Sequence, residues 1–538
     1  MEARTGGEWV VAALRAEGVR HVFGIPGVHN LPVYDALLRQ RGIAHVLARH
    51  EAGAAFMADG YARASGEPGV VIVTTGPGAT NTLTPLAESY SGSVPVLVVM
   101  SDVATDLLGR DLGGLHEVPN QIECFRPVSR WSETIREGPA IATSIAGAFH
   151  LLRTGRPGPI ALSVPNDLLF AKSEGVVRTG RAGRRPPCHV NDIAQAVPML
   201  AEARRPLLIA GGGVISAGAT AELQALARRL DAPVITTVMG RGAVSERDPR
   251  WHGVLPNRRA TEAVIREADV VFAIGCRFAA RSTRGLGLNL SFGPGQALIH
   301  LDLDPTVIGR MFEPRLGIVG DARDGLARLV DALGPGAASS DWERAGLARL
   351  RSAASPRYTA EVAELIATLR AALPDDGIVV NDQTGINYWM EWHFPVLRPR
   401  TFLYPVGSAT LGYGVPAAIG AQIACPGRPV ISVVGDGGFM FSVNELATAV
   451  KYRLPVVFLV LNDGRYGAIK WLQETMFGTW GEAELANPDF PALARAFGAR
   501  GERMPSIAAL AKALPSALAT EGPTLLELPI AIDPPWEL

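Results

Sequence analysis

Strand-length apolar runs recur along this chain, and within each run the apolar character is continuous rather than alternating. They lie at 71–74 (VIVT), 94–100 (VPVLVVM), 207–210 (LLIA), 234–237 (VITT), 270–274 (VVFAI), 297–303 (ALIHLDL), 430–434 (VISVV) and 456–461 (VVFLVL). A strand with one face in water alternates apolar and polar residues; a strand covered on both faces does not. Helical periodicity fills the intervals, as at 221–230 and 444–452. The pattern predicts an α/β fold of doubly wound parallel sheets.

Two segments break the alternation, 180–187 (GRAGRRPP) and 334–341 (GPGAASSD). They predict three domains, at 1–180, 188–335 and 345–538, each of ordinary size. The net charge of −1 leaves no basic field for nucleic acid or an anionic membrane. Cys124, Cys188, Cys276 and Cys425 are scattered, with neither disulfide-framework nor zinc spacing. The first residues lack the apolar core of a signal peptide, and no apolar run approaches the ~20 residues of a membrane span. A cytoplasmic location is therefore expected. The 59 glycines and 40 prolines fall in no repeat, so they mark turns or places where backbone approaches a ligand.

The segment 429–467 (PVISVVGDGGFMFSVNELATAVKYRLPVVFLVLNDGRYG) reads strand, Gly-Asp-Gly-Gly turn, helix, strand, Asn-Asp-Gly turn. A right-handed βαβ unit puts both turns at the carboxyl ends of neighbouring strands. Asp436 and Asp463 are then expected close in space, as hard oxygen ligands for a magnesium ion that also holds phosphates. Gly437 and Gly438 would let phosphate oxygens reach backbone N–H groups. Two ordinary sheet turns would account for a lone Gly-Asp-Gly, but not for the added Asn462-Asp463 at this spacing.

This segment resembles the thiamine-diphosphate motif. The resemblance implies a metal held by Asp436, Asp463 and the backbone carbonyl of Arg465, with aspartate at 463 where the pattern usually has asparagine. The segment 43–63 (IAHVLARHEAGAAFMADGYAR) is similar to the family's Arg-His-Glu segment and makes Glu51 the activating glutamate. In such enzymes a carboxyl group on the cofactor's pyrimidine ring promotes loss of the thiazolium C2 proton. By position alone, Glu51 would be a first-turn helix acid favoured by the helix dipole. The strings at 23–27 (FGIPG) and 75–81 (TGPGATN) resemble the pyrimidine domain of the acetolactate synthase group, which implies that Pro26 and Asn81 lie near the cofactor. The segment 407–421 (GSATLGYGVPAAIGA), with Ser408, is similar to the stretch that supports the bent cofactor, and Leu411 takes the place of its wedge. Thr384 and Asn387 fall where the diphosphate-side loop lies. The resemblance runs the whole chain in family order: pyrimidine-binding, central and diphosphate-binding domains. It implies a homodimer or homotetramer in which Glu51 of one subunit meets Asp436 of another.

The central domain resembles that of acetolactate synthase, which binds FAD in the biosynthetic enzymes. The usual acidic pair of its Gly-x-Arg-Phe-Asp-Asp-Arg string is replaced by Ala279 and Ala280, which weighs against FAD here, and the Gly211–213 run is unexplained. His29 and His116 fall in loops where related decarboxylases place active-site histidines, and a histidine can shuttle protons near neutrality. Residues 466–471 (YGAIKW) resemble benzoylformate decarboxylase, and the His29 and His116-Glu117 loops resemble a decarboxylase of a guanidino 2-oxo acid. The expected function is cleavage of a 2-oxo acid by decarboxylation with thiamine diphosphate and Mg2+. The alternatives are an acetolactate synthase-type carboligase, a flavin-dependent oxidase of the pyruvate oxidase type, and a non-catalytic paralogue.

Overall fold

The computed structural model describes residues 2–177, 183–255, 257–284, 289–335, 340–343, 346–349 and 359–536. Three six-stranded sheets carry the fold. Every strand pairing in them is parallel. The first runs Ala44–Leu47, His21–Gly24, Gly69–Val73, Val96–Asp102, Ile160–Pro165, Trp131–Thr134. The second runs Trp251–Val254, Val234–Thr236, Pro206–Ala210, Val270–Ile274, Ala297–Asp302, Leu316–Val319. The third runs Phe402–Leu403, Ile378–Asn381, Val430–Gly435, Val456–Asn462, Thr524–Pro529, Arg500–Arg503. All eight predicted strands are present, within two residues at each end. The segment 444–452 is not one helix: a 3-10 turn, Val443–Glu445, precedes a short helix, Leu446–Lys451. Both boundary segments fall partly outside the described residues.

In each sheet the chain fills one side and then crosses to the other, and the crossing defines where ligands bind in open α/β sheets. The crossings lie between His21–Gly24 and Gly69–Val73, between Pro206–Ala210 and Val270–Ile274, and between Ile378–Asn381 and Val430–Gly435. Glycine turns stand at all three. At the second, a Cβ on Gly213 would lie 2.5 Å from the Gly275 Cα. The Gly211–213 run therefore answers to two strand-end turns meeting backbone to backbone.

The helices Glu51–Ser65 and Gly414–Ala424 join the first and third sheets' domains. A Cβ on Gly60 would lie 2.1 Å from the Ala417 carbonyl oxygen, and one on Gly420 would lie 1.9 Å from that of Met57. The small-residue composition of both helices is what lets their backbones touch. The result is one apolar core spanning both sheets, from Val71 and Val98 to Val434 and Phe458.

Candidate active site at two sheet crossings

The first half-site sits at the carboxyl edge of the first sheet. Glu51 opens its helix directly after the strand Ala44–Leu47, with His50 as the N-cap. Asn81 Nδ2 donates to Glu51 Oε2 at 2.9 Å, so the two residues named from sequence are in contact. Thr74 ties the crossing together: a Cβ on Gly27 would lie 2.6 Å from its side chain and one on Gly78 2.7 Å, with Glu51 Oε1 3.6 Å from the latter. Pro26 is exposed at this edge.

His29 and His116 meet here as well, rings 5.5 Å apart and nearly perpendicular. The Nδ1 atoms of both are buried without a hydrogen-bond partner among the described residues. Burial first, and then the His116 ring, lowers the His29 pKa, so its neutral form is favoured at pH 7. His116 has φ of 62°. Its carbonyl oxygen would lie 2.3 Å from a Cβ on Gly76, whose own φ is 63°. Only glycine fits at 76, and the fit carries the His116 loop onto the Glu51 turn.

The second half-site sits at the carboxyl edge of the third sheet. Asp436 and Asp463 end neighbouring strands, as the βαβ reading expected. Asp436 Oδ2 accepts from Gly464 N at 3.0 Å and from Asn487 Nδ2 at 2.6 Å. Burial pushes the Asp436 carboxyl up. Burial, and then the negative charge of Asp436, pushes Asp463 up to about 6. Two carboxylates that repel each other in a half-dry pocket suit a divalent cation. Among the described residues no group of three or more His, Cys, Asp or Glu could hold a metal. Hard carboxylate oxygens such as these are the ligand type that magnesium prefers. A Cβ on Gly437 would lie 2.7 Å from the Tyr466 ring, and one on Gly438 3.0 Å from Asp382. Glycine at 437 and 438 is therefore what lets Tyr466 and Asp382 close on the backbone of the Gly-Asp-Gly-Gly turn.

Thr384 packs directly against this turn, 2.8 Å from where a Gly435 Cβ would be. Asn387 is fully buried, and its Nδ2 donates to the carbonyls of Asp382 and Val433 at 2.9 and 2.8 Å. It holds the loop rather than reaching outward. Ser408 is exposed and Leu411 half-buried on the loop before Gly414–Ala424. The Arg465 side chain folds back to the Asp463 carbonyl at 3.0 Å. Sequence reasoning missed Asn487, Asp382, Glu88 and Glu445. Each acts through a distant backbone or side chain and has no local spacing to betray it.

The second sheet's crossing opens into a cavity of about 610 Å³, lined by Gly212, Gly213, Gly275, Arg277, Asp302 and Arg156. Burial, then the neighbouring Arg277 and Arg130 cations, pushes Arg156 down to about 10. An anionic group in the cavity would relieve that crowding, and the volume lies in the ordinary range for cofactor sites.

Three family models match the chain in order. The thiamine pyrophosphate enzyme N-terminal TPP binding domain covers residues 4–124, the central domain 193–329 and the C-terminal TPP binding domain 382–528. The chain belongs to the thiamine pyrophosphate enzyme family. A probable acetolactate synthase large subunit of Methanocaldococcus jannaschii is 36% identical over 98% of this chain and 92% of its own length. A probable 2-ketoarginine decarboxylase of Pseudomonas aeruginosa is 39% identical over 97% of this chain and 94% of its own. Acetolactate synthase isozyme 2 large subunit of Escherichia coli is 35% identical over 98% and 95%. This member of the family is thus a thiamine-diphosphate-dependent enzyme of 2-oxo acids. No helix among the described residues is long and apolar enough to cross a membrane.

Proposed function

We propose that this enzyme decarboxylates a 2-oxo acid with thiamine diphosphate and Mg2+, releasing an aldehyde. The observation that carries the choice of decarboxylation is the His29–His116 pair, whose two unpartnered Nδ1 atoms stand in the half-site of Glu51. Glu51, oriented by Asn81, is the carboxylate for the pyrimidine ring, and Pro26 stands exposed at the same sheet edge. Asp436, Asp463 and the Arg465 carbonyl hold the metal, while Gly437, Gly438, Thr384 and Ser408 face the diphosphate and Leu411 supports the rings. Asn387 acts by fixing the Asp382 loop. The bound cofactor supplies an electron sink for the pair left behind when CO2 departs. His29 and His116 hold and deliver the proton that completes the aldehyde.

Among the described residues no hydrogen bond joins Glu51, His29 or His116 to Asp436 or Asp463 of the same chain; in the facing domain, Glu445 and Glu88 bond only backbone. Exposed Val28, Leu31, Leu112 and Leu115 rim the first, and exposed Met440, Phe441, Ile469 and Phe477 rim the second. A second copy would bury both rims and join Glu51 of one subunit to Asp436 of the other, which favours a homodimer or a homotetramer.

Two other readings have observations behind them. Relatives named acetolactate synthase favour carboligation of two 2-oxo acids. The central cavity, with its crowded arginines, suits the diphosphate of FAD, although Ala279 and Ala280 replace the expected acids. The test is a panel of 2-oxo acids supplied with thiamine diphosphate and Mg2+, scored for CO2 and with products identified by mass spectrometry, after a visible spectrum of the purified protein. An aldehyde supports the proposal and a 2-hydroxy-2-oxoalkyl acid replaces it with carboligation. Yellow flavin with peroxide formation replaces it with an oxidase. Failure to release CO2 from any member favours a non-catalytic paralogue.

A further inference from the structure

On the reading above, Leu411 supports a bent cofactor, yet it stands half-buried at the end of an exposed loop. That loop holds positive φ at Ala409 (51°) and Gly412 (83°). A wedge works only if it does not move. Two buried carboxylates from different domains grip the loop backbone on either side of it.

Upstream, Glu88 Oε2 accepts from Ser408 N at 2.8 Å and from Gly407 N and Ala409 N at 3.3 Å each. Glu88 lies on the helix Leu83–Gly92 of the first domain and is fully buried. A Cβ on Gly407 would lie 1.8 Å from that of Ser91 on the same helix, so the loop is pressed against the helix as well as bonded to it. Downstream, Asp382 Oδ2 accepts from Gly414 N at 2.8 Å.

Glu88 also faces Arg63, and an ion pair alone could account for a buried glutamate. The distances decide otherwise. Arg63 has its closer carboxylate in Asp59, at 2.5 Å, against 3.3 Å to Glu88. Asp59 is further fixed by Ser89 and the Tyr413 hydroxyl. The shortest bond Glu88 makes goes to the loop.

We propose that Glu88 is a positioning residue for the thiamine cofactor, acting through the 407–409 backbone to fix where Leu411 stands. This rests on the placing of Leu411 under the proposed function. Glu88→Gln weakens the grip whichever way the amide turns: its NH2 either faces the loop N–H groups and loses those bonds, or faces the Arg63 guanidinium, a donor against a donor, and leaves the loop a neutral acceptor in place of a carboxylate.

The experiment compares wild type, Glu88→Gln and Glu88→Asp as full-length protein with thiamine diphosphate and Mg2+. It reads cofactor Kd by calorimetry, amide exchange in the 407–411 peptide, and the rate at which the cofactor's C2 proton exchanges with D2O. We expect faster amide exchange and C2 exchange slowed about ten- to a hundredfold, with Kd changed by less than about threefold and partial recovery in Glu88→Asp. C2 exchange within about twofold of wild type, or a slowing that lost cofactor binding accounts for, overturns the proposal. If Glu88→Gln does not fold, Glu88→Asp carries the same criteria, since it keeps a charge opposite Arg63 while shortening the reach to the loop. Glu51→Gln in parallel separates the two claims. Wild-type C2 exchange in that variant removes the functional reading itself, whereas its loss there with no slowing at Glu88 removes only this one.

Discussion

Glu445 sits in the third domain, fully buried, and accepts from His50 N at 3.0 Å and Arg49 N at 3.1 Å, the two residues that lead into Glu51. A Cβ on Gly53 would lie 2.1 Å from its Oε1, so the glutamate reaches this spot only because residue 53 has no side chain. Burial pushes its carboxyl up to about 7, against the opposing pull of the Thr448 hydroxyl and those N–H groups. The folded protein therefore holds a proton that the unfolded chain releases from about pH 4.5 upward, so Glu445 contributes most stability at low pH and loses it as pH rises through 7. Between about pH 5 and about pH 8 the loss from this group is about 2.5 kcal/mol. Glu445→Gln keeps an acceptor for the N–H groups but cannot ionise. Glu246, pushed up to about 7, and Asp382 and Asp463, pushed up to about 6, titrate in both proteins and cancel in the comparison. Urea unfolding of cofactor-free wild type and variant at the two pH values should show the variant gaining about 2.5 kcal/mol relative to wild type at the higher one. A stability gap independent of pH would refute the reasoning.

Arg241 pairs with Glu246 at 2.8 Å in the buried interior and donates to carbonyls of Met390, Glu391 and Phe394, locking the second domain to the third. Arg241→Met should cost about 3–5 kcal/mol by leaving that carboxylate and those carbonyls unpaired, read as a fall in the unfolding midpoint. Gly76→Ala should cost about 1–3 kcal/mol and cut CO2 release, because its Cβ overlaps the His116 carbonyl in a positive-φ turn; unfolding and turnover check both. Asp463→Asn should weaken Mg2+ binding in calorimetry. Melting curves should show that it also removes the fall in apo-protein stability that Asp463 causes as pH rises through 6.

The sheet interiors were legible because strands such as Val430–Gly435 and Val456–Asn462 are covered on both faces and read as unbroken apolar runs. The edges were not. Arg500–Arg503 (RGER) and Trp131–Thr134 (WSET) carry polar side chains into water, and Phe402–Leu403 is two residues long. Of the candidate site, the neighbouring positions of Asp436 and Asp463 were readable because both turns lie in one local strand–helix–strand string, whereas Glu51 stood out only through the resemblance of its Arg-His-Glu segment, since by position it is an ordinary first-turn acid. Glu445 and Asn487 were not, since one reaches Arg49 and His50 across 395 or more positions and the other reaches Asp436 across 51. The odd glycine content had a cause that only the sheet order shows: each of the three crossings needs backbone without Cβ. The Gly211–213 run belongs to that set, at the one crossing that opens into the central cavity.

The claim on which the account stands is that Glu51 is the carboxylate that activates the cofactor. Glu51→Gln keeps the side-chain size and an acceptor for Asn81, and removes the acid. Its thiamine diphosphate affinity, measured by calorimetry with Mg2+, should stay near that of wild type. Its release of CO2 from the best 2-oxo acid of the panel should fall about a hundredfold or more. Wild-type turnover in that variant would contradict the account.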